Sequence, residues 1–441
     1  MRKSELNYYL LTVIILLFTL NGKVAVCQSN CAGYWTGIMV RDSSAMKVSF
    51  EFKMQNKKLL GFFNSSSQKA SGIPLDSIRI NNDSLFFQLM SDPITDFKCK
   101  VFNNKIDGQI IQDGFSEGNL SLVQASLPTK QFSFIDTIFK SGNHKIACRI
   151  YFPKTGGRFP AVIFMHGSGS EGMFANQYMA EYLASKGIIT LIQDKQGVGR
   201  STGNWTKASF DDLADDYIGA KNFLKDFNKV NQNQIGIYGH SQGGTIAPMV
   251  ASESEDISFI IAAASVGDTV YKQDLYRVRN NLKSNGFNPI EISEAMAYYK
   301  SWLDIARTGT GSEKLDSLSE SSKDKKWFSS VEAPPKNHWI WKYYQATGNY
   351  NSLDFWKMIN IPALLIYGEN DQIEDVKNYI HNIDKALIEQ RRNNDVTQLI
   401  LPEAQHNLCI FPEKNKKFFW WYQSPGYQDL IASWILYRFK N

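Results

Sequence analysis

The sequence lacks the cysteine patterns that bind structural metals. Among 441 residues there are five cysteines, and none of them forms a C-x-x-C pair or a cluster with histidine. Because zinc sites depend on such spacings, we expect no metal site. The four cysteines that follow Cys27 allow three full pairings in an oxidising compartment. We favour a disulfide between Cys31 and Cys99, since both lie in the same predicted domain.

A strong excess of one charge is also absent. The chain has 48 Lys and Arg against 43 Asp and Glu, which gives a net charge of +5. No cluster of basic residues with interleaved aromatics marks a nucleic-acid surface, so we expect no nucleic-acid partner. With 43% hydrophobic and 21% charged residues, the composition is that of a globular protein long enough for two or three domains.

The apolar run at the N terminus is too short for a membrane span. The chain begins MRK, Tyr8–Leu20 is apolar, and a stretch of small residues follows. A bilayer span needs ~20 apolar residues, so we predict a signal peptide over 1–27 and no span after its removal. The protein is then exported, to the periplasm or beyond. The alternative is a lipid anchor at Cys27, which Val26 disfavours because lipoprotein signals resemble one another in carrying Gly, Ala or Ser there.

The first part of the mature chain has the pattern of an all-β domain. Short runs rich in Val, Ile and Phe alternate with Asn, Gly, Ser and Asp turns, which is typical of a small sandwich or barrel. The clearest runs are Lys47–Phe52, Leu59–Phe63, Ser84–Leu89, Lys98–Phe102 and Asp107–Ile111. We assign 28–127 to this accessory domain. It contains no catalytic pattern, and carbohydrate or surface binding is the alternative to a packing role.

From about Phe132 the chain changes to strands that alternate with helices. Phe159–Met165 is continuously apolar, as expected of a strand buried on both faces of a parallel sheet. The alternation predicts an α/β fold with a doubly wound, mostly parallel sheet, which we assign to 128–441.

The alternation breaks between about 268 and 357. This stretch is polar and helix-like, and it is too long to be structureless. It also carries several tryptophans, namely Trp302, Trp327, Trp339, Trp341 and Trp356. Because the insertion leaves the sheet at a strand end, where sites on such sheets form, we predict a helical lid over the site. The alternative is that it packs only on its own small core.

One stretch, Gln234–Ala251, contains the pattern G-x-S-x-G around Ser241. A strand-like run leads into Gly239-His240-Ser241-Gln242-Gly243, and small and apolar residues able to begin a helix follow directly. Glycines are needed on both sides because a strand-to-helix turn this tight has no room for side chains. Ser241 is therefore the candidate nucleophile.

A serine hydroxyl is barely ionised at neutral pH and needs a neighbouring base. On sheets with such a turn, the acid and then the base follow the serine along the chain. His406, in the loop after the last predicted strand, satisfies this order. Asp371, in the loop after the strand that ends at Tyr367, is the preferred acid. The nearby carboxylates are alternatives, namely Glu369, Glu374 and Asp375, of which the last two fit the first turn of a helix better.

The loop His166-Gly167-Ser168-Gly169 follows the strand Phe159–Met165 and has the glycines that let backbone amides approach a substrate. We predict that an oxyanion is stabilised by the amide of Ser168 and by the amide of Gln242, the residue after the nucleophile. The alternative donor in the first loop is the amide one position before or after that of Ser168.

These motifs resemble the α/β-hydrolase superfamily, and more narrowly the exported bacterial esterases and serine-aminopeptidase-like hydrolases with a β domain before the catalytic one. The matching stretches are HGSG at 166, DKQGVGRSTG at 194, IGIYGHSQGG at 235, YGENDQ at 367 and LPEAQH at 401. Relatives commonly have Arg where Gln196 stands. The second stretch is mostly structural in such families, so Asp194 and Arg200 are not assigned catalytic roles.

The resemblance implies a serine hydrolase that cleaves small acyl esters through an acyl-enzyme, without a cofactor. The same triad also cleaves amides, so a peptidase or aminopeptidase is the first alternative. An aminopeptidase needs an acidic anchor for the substrate amine, for which lid residues such as Asp304 or Glu332 are candidates. The second alternative is a surface-binding protein that carries a relic hydrolase domain.

Overall fold

The computed structural model describes residues 31–42, 44–91, 93–389, 395–411 and 420–439, so the predicted signal peptide lies outside the described residues. Contacts divide the chain into two compact units. The first contains the chain up to Thr129 together with the described part of Phe411–Gln423. The second contains Lys130–Ile410 and the chain from Ser424 onward. The sequence-based boundary at 127/128 lies two residues earlier, and it groups Phe411–Gln423 with the catalytic domain.

The first unit is a closed antiparallel barrel, one of the two architectures expected for this part of the chain. Each strand pairs with the next, and the last pairs with the first. The strands are β1 (Gly33–Arg41), β2 (Ser44–Gln55), β3 (Lys58–Ser65), β4 (Ala70–Asn81), β5 (Ser84–Leu89), β6 (Thr95–Phe102), β7 (Lys105–Gln112) and β8 (Phe115–Ala125). The amide of Gln423, in a short strand near the end of the chain, donates to the Ser67 carbonyl (3.0 Å).

Alternate residues of the barrel strands point inward, as the two-residue period of a strand requires. Aromatic rings fill the interior, where Phe87 and Phe97 stack with their centroids 4.6 Å apart. Cys99 belongs to this core, and burial raises the pKa of its thiol to about 12. Because Cys99 is a free thiol, the expected disulfide with Cys31 is wrong.

The second unit is built on a mixed, mostly parallel sheet, which confirms the predicted α/β-hydrolase fold class. The strands lie in the order β16-β15-β14-β13-β11-β12-β10-β9, and β9 and β10 supply the antiparallel pairings. Their bounds are β9 (Phe132–Ser141), β10 (His144–Pro153), β11 (Phe159–Met165), β12 (Ile189–Gln193), β13 (Val230–His240), β14 (Ile257–Ala263), β15 (Ala363–Gly368) and β16 (Val396–Leu401). β15 is buried along its whole length and β11 from Pro160 onward, as their unbroken apolar runs predict.

Helices of the second unit connect and cover these strands. They are α1 (Gln177–Ser185), α2 (Phe210–Lys225), α3 (Gln242–Ser252), α4 (Val270–Ser284), α5 (Pro289–Thr308), α6 (Leu315–Ser322), α7 (Phe328–Val331), α8 (Ile340–Thr347), α9 (Leu353–Trp356), α10 (Val376–Glu389) and α11 (Tyr427–Phe439). No helix in the described ranges is long and apolar enough to cross a membrane.

The insertion between β14 and β15 is helical, as expected, and comprises α4 to α9. The helices within it begin and end at ordinary capping residues. At the start of α5, Asn288 and Glu291 hydrogen-bond each other's backbone, and the helix ends at Gly309 in the left-handed conformation. The insertion has an apolar core of its own that includes Trp302 and Trp327. It therefore folds as a packed element on the sheet rather than as a loop.

Candidate active site

The turn at Ser241 has the strained geometry that its flanking glycines predict. Ser241 lies between β13 and α3 with φ 55° and ψ −119°, a conformation that is uncommon for a residue with a side chain. A Cβ atom on Gly239 would lie 2.2 Å from the carbonyl oxygen of Gly243, and one on Gly243 would lie 2.7 Å from that of His166. Only glycine fits at these two positions, and the packing fixes the serine at the end of the strand.

The structure brings Ser241, His406 and Asp371 together at the carboxyl ends of the strands. The His406 Nε2 atom lies 3.0 Å from the Ser241 Oγ, and its Nδ1 atom lies 2.9 Å from the Asp371 Oδ2. The other oxygen of Asp371 accepts the amides of Ile373 (2.8 Å) and Glu374 (3.0 Å). Its side chain is fully buried, so its negative charge is directed at the imidazole. The arrangement has the geometry of a nucleophile, a base and an orienting acid.

The alternative acids do not contact His406. Glu369 accepts the amide of Glu403 (2.9 Å). Glu374, expected in the first turn of a helix, lies before α10, is 1% exposed and contacts Gln273 at 3.3 Å. Burial raises the pKa of its carboxyl well above the usual value, and the neighbouring charge of Asp371 adds to this effect. The helix-terminus interpretation of Glu374 is therefore wrong.

Two other histidines near the nucleophile have structural contacts. His166 is buried, donates from Nε2 to the Gln193 carbonyl (2.6 Å) and accepts the Tyr217 hydroxyl at Nδ1 (2.9 Å). Burial lowers its pKa to about 3, which keeps the ring neutral. His240 donates from Nε2 to the carbonyl of His406 (2.9 Å). This bond ties the loop that carries the base to the residue before the nucleophile.

The amides proposed for the oxyanion lie at the same cavity. Ser168 and Gln242 both line it together with Ser241, and neither amide donates a hydrogen bond within the described part of the chain. The amide of Gly167 is already bonded to the Glu171 carboxylate (2.8 Å), whereas those of Ser168 and Gly169 donate no hydrogen bond among the described residues. Two amides without acceptors beside a strained serine are what an oxyanion site requires.

Lys195 is a residue of this site that sequence reasoning missed. It is 2% exposed and donates from Nζ to the carbonyls of Gly167 (2.6 Å) and Gly169 (3.0 Å) and to the Gln242 Oε1 (3.1 Å). No carboxylate lies within ion-pair distance of it in the part of the chain that the structure describes. Burial lowers the pKa of its ammonium group to about 8. The sequence feature that could have revealed it is its place in the DKQG motif. The sequence analysis interpreted that whole motif as structural.

The neighbours of Lys195 in that motif do have structural contacts. Asp194 accepts the amides of Met173 (2.9 Å) and Arg200 (3.0 Å). Gln196, which stands where relatives commonly have Arg, donates to the buried Asp216 (3.1 Å). These bonds fix the loop from which Lys195 reaches the Gly167 and Gly169 carbonyls and the Gln242 side chain.

The lid forms one wall of the cavity that Ser241 and His406 line. The cavity has a volume of about 510 Å³, and the insertion contributes Val270, Gln273, Asp274, Arg277, Trp339, Ile340, Tyr343 and Tyr344 to its lining. The Tyr343 hydroxyl accepts the Gln242 side-chain amide (3.2 Å), so the lid contacts the residue after the nucleophile directly. The prediction that the insertion covers the site is confirmed by this lining.

The carboxylates suggested as amine anchors do not line this cavity. Asp304 pairs with Lys300 (2.8 Å) and Arg307 (3.4 Å), and Glu332 is likewise outside the lining residues. No group of three or more potential metal ligands occurs in the described ranges.

Comparisons with known proteins agree with this architecture. Residues 158–413, more than half of the chain, match the protein family described as "Serine aminopeptidase, S33". Esterase EstD of Thermotoga maritima is 25% identical over 233 residues, which are 51% of this chain and 49% of that protein. The chain therefore spans about half the length of this curated relative.

Solved structures with similar folds include an esterase and a protein described as hypothetical. The Pyrococcus furiosus esterase PF2001 is 19% identical, with a TM-score of 0.45 over 70% of this chain and 92% of that one. The hypothetical protein PA2218 from Pseudomonas aeruginosa is 18% identical, with a TM-score of 0.40 over 70% of this chain and 95% of that one. With TM-scores below 0.5, neither structure adds to the assignment, which rests on the family match.

Proposed function

This chain belongs to the serine aminopeptidase S33 family of α/β-hydrolases, and we propose that it cleaves carboxylic esters with Ser241, His406 and Asp371 as its catalytic triad. The observation that carries the proposal is the pair of contacts made by His406, 3.0 Å to the Ser241 hydroxyl and 2.9 Å to the Asp371 carboxylate. The description of a curated relative as an esterase supports the choice of reaction.

The proposed reaction has two steps. His406 Nε2 takes the proton of the Ser241 hydroxyl while the oxygen attacks the ester carbonyl. Asp371 accepts a hydrogen bond from the Nδ1–H group and stabilises the imidazolium that forms. Collapse of the tetrahedral intermediate breaks the bond to the alcohol, which leaves with the proton from His406. Water, activated by the same imidazole, then attacks the acyl-enzyme and releases the acid.

The amides of Ser168 and Gln242 stabilise the negative oxygen in both steps, and Lys195 holds them in place. Gly167 and Ser168 share a peptide unit whose carbonyl and amide point in opposite directions, because the bond is planar and trans. Lys195 binds that carbonyl (2.6 Å), so it directs the Ser168 amide away from itself. The ammonium group also polarises this peptide and places a positive charge behind the developing oxyanion.

Amide hydrolysis by an aminopeptidase is the second candidate, favoured by the family's description. It requires a carboxylate that binds the substrate's free amine at the cavity. Neither Asp304 nor Glu332 lines the cavity, and Glu171 is engaged by the amide of Gly167. Comparing aminoacyl-p-nitroanilides with short-chain p-nitrophenyl esters decides between the two, and faster turnover of the anilides would favour the peptidase.

Replacing the nucleophile tests the proposal. We expect Ser241→Ala to lower kcat for p-nitrophenyl butyrate by roughly four to six orders of magnitude, because the remaining oxyanion amides and binding give only residual catalysis. Ser252→Ala, at the far end of α3, removes only a bond to the Met249 carbonyl (2.9 Å) and is the matched control. Retained turnover in Ser241→Ala, with the control also active, would remove Ser241 from its role.

A further inference from the structure

We propose that the lid end of the cavity binds a carboxylate of the substrate, with Arg277 as its principal hydrogen-bond donor. The inference rests on the proposed function, since it names the class of ester that the same cavity would take. The preferred substrates would be esters whose acyl or alcohol part ends in a carboxylate.

The first observation is that one face of α4 lines the cavity. Val270, Gln273, Asp274 and Arg277 line it, and their spacing of three and four residues puts them on one side of the helix. Arg277 is the cation among the lining residues, and its side chain is 40% exposed. The lid therefore brings a guanidinium group into the same cavity as Ser241.

The second observation is that hydrogen bonds hold the Arg277 side chain in place but do not use all of its donor groups. Its Nε donates to the Asp274 Oδ1 (2.7 Å), and its Nη2 lies 2.5 Å from the same oxygen. Asp274 is 3% exposed, and its other oxygen accepts the hydroxyls of Tyr344 (2.6 Å) and Tyr299. The Nη1 group makes no hydrogen bond within the described residues. A planar guanidinium fixed on one edge, with donors left on the other, is suited to a carboxylate.

The third observation concerns Glu374, which lines the cavity beside the same helix face. Its Oε1 accepts the side-chain amide of Gln273 (3.3 Å), one turn of α4 from Arg277. Its buried Oε2 has no hydrogen-bond partner among the described residues. Burial and the charge of Asp371 raise its pKa, which favours the protonated form of this carboxyl group. The Nη1 group of Arg277 is therefore the cationic donor that remains open to a ligand at this end of the cavity.

An open cationic donor favours a ligand that carries an anionic acceptor. A carboxylate would accept from the Arg277 Nη1, whereas an ammonium group would be repelled by Arg277. The remaining carboxylates of the lining are already engaged, Asp274 by Arg277 and Glu171 by the amide of Gly167. The open donor group of Arg277 thus favours an anionic ester over the free amine that an aminopeptidase binds.

Matched ester pairs test the proposal on the wild-type protein. In one pair, the p-nitrophenyl monoester of adipic acid is compared with the same compound capped as its methyl ester. In the other, 4-(acetoxymethyl)benzoate is compared with its methyl ester, which places the carboxylate on the alcohol side. We expect kcat/KM to be at least tenfold higher for the anionic member of one pair, and this ratio to fall as salt is added. Equal values within both pairs would overturn the proposal.

Variants identify the residue that is responsible. Arg277→Met should bring the ratio of anionic to neutral ester close to one, and Arg277→Lys should keep part of it. Arg279→Met, on the exposed side of the same helix, is the control and should retain the wild-type ratio. A ratio that survives in Arg277→Met contradicts the assignment. Because each ratio is measured within one variant, partial loss of folded protein does not affect it.

Two further outcomes separate this inference from the proposed function. Faster turnover of the p-nitrophenyl ester of 6-aminohexanoic acid than of its neutral counterpart would make Glu374 an amine anchor and overturn the carboxylate site. If neutral and anionic esters are turned over equally, the proposal of a carboxylate site is wrong and the proposed esterase activity stands. If no ester is turned over at all, the proposed function fails and the site fails with it.

Discussion

Lys195 is a full positive charge in a place almost closed to water. Its three hydrogen bonds go to two carbonyls of the oxyanion loop and to the side chain of Gln242. Burying an ammonium group without an ion-pair partner is unfavourable, and the lowered pKa reflects this cost. A residue kept in such a position is expected to act through what it holds, which here is the loop of Gly167, Ser168 and Gly169 together with the side chain of Gln242.

We predict that Lys195→Met lowers kcat by about 10- to 100-fold and leaves KM within about twofold, because the bonds it supports matter most in the transition state. A boronic acid that mimics the tetrahedral intermediate should lose affinity by a similar factor. Lys221→Met is the matched control, since Lys221 is also buried but pairs with Asp256 (3.0 Å). A rise in KM with unchanged kcat would make Lys195 a substrate-binding residue instead.

The pH profile of the wild-type protein gives a second readout of the same role. Burial lowers the pKa of Lys195 to about 8, and the nearby carboxylate of Glu171 opposes this shift. The protonated form, which supplies all three bonds, is therefore present below pH 8 and lost above it. We expect kcat to fall as the pH rises through about 8, and this decline to be absent in Lys195→Met. An identical alkaline decline in both proteins would contradict this origin.

The residues with a local signature could be predicted from the sequence, and those defined by tertiary contacts could not. Ser241 is flanked by the glycines of its motif. Asp371 and His406 follow it along the chain in the order, acid and then base, that is expected for such a sheet. Lys195 and Glu374 carry no such mark, because a lysine in a loop or a glutamate before a helix usually lies in water. Their burial depends on segments far away in the chain that pack over them.

At the scale of the element, the packing of the lid supports one wall of the cavity beside Ser241. A change that destabilises the lid is therefore expected to lower activity as well. Trp302 lies at the centre of its core, 5% exposed, with its ring 4.9 Å from that of Tyr299 and 6.0 Å from that of Tyr344. Both tyrosines donate to Asp274. The packing of one tryptophan thus supports the cavity wall that carries Arg277.

We predict that Trp302→Ala destabilises the lid by about 3–5 kcal/mol, the usual cost of removing a large buried ring. Amide hydrogen exchange should become faster across α5 and stay unchanged in β11, whose core is separate. Ester kcat/KM should fall by about tenfold or more. Trp302→Phe is the control and should retain most of both properties. Unchanged exchange in α5 would show that the lid does not depend on this residue.

Prediction of the elements followed the strength of their patterns. The insertion was recognised as helical because it lacks buried strand runs, and β11 and β15 because their apolar runs are continuous. β1, β4 and β8 were missed, since glycines interrupt β1 and β8 and a residue with positive φ, Ser77, interrupts β4. Their strand conformation depends on pairing with neighbours that close the barrel, which no local pattern reports.

At the scale of the whole molecule, the buried His166 makes stability depend on pH. Its pKa is about 3 in the folded protein because of burial, against about 6.5 when it is exposed. Between these values the unfolded chain binds a proton that the folded protein does not, so stability falls as the pH drops below about 6.5.

We expect the melting temperature of His166→Gln to lie below that of the wild-type protein at pH 7, because its contacts to Tyr217 and Gln193 are lost. The difference should narrow steadily between pH 6.5 and pH 4, since the variant has no buried imidazole to protonate. His381→Gln, on the exposed side of α10, should follow the wild-type profile. A difference between His166→Gln and wild type that is constant over this range would contradict the prediction.

The most direct test of the catalytic assignment is to locate the covalent adduct of a fluorophosphonate probe by mass spectrometry. We predict one labelled site, the side chain of Ser241, with labelling lost in His406→Ala because the hydroxyl then has no base at 3.0 Å. Absence of any adduct, or an adduct on a different serine while Ser241 stays unmodified, would contradict it.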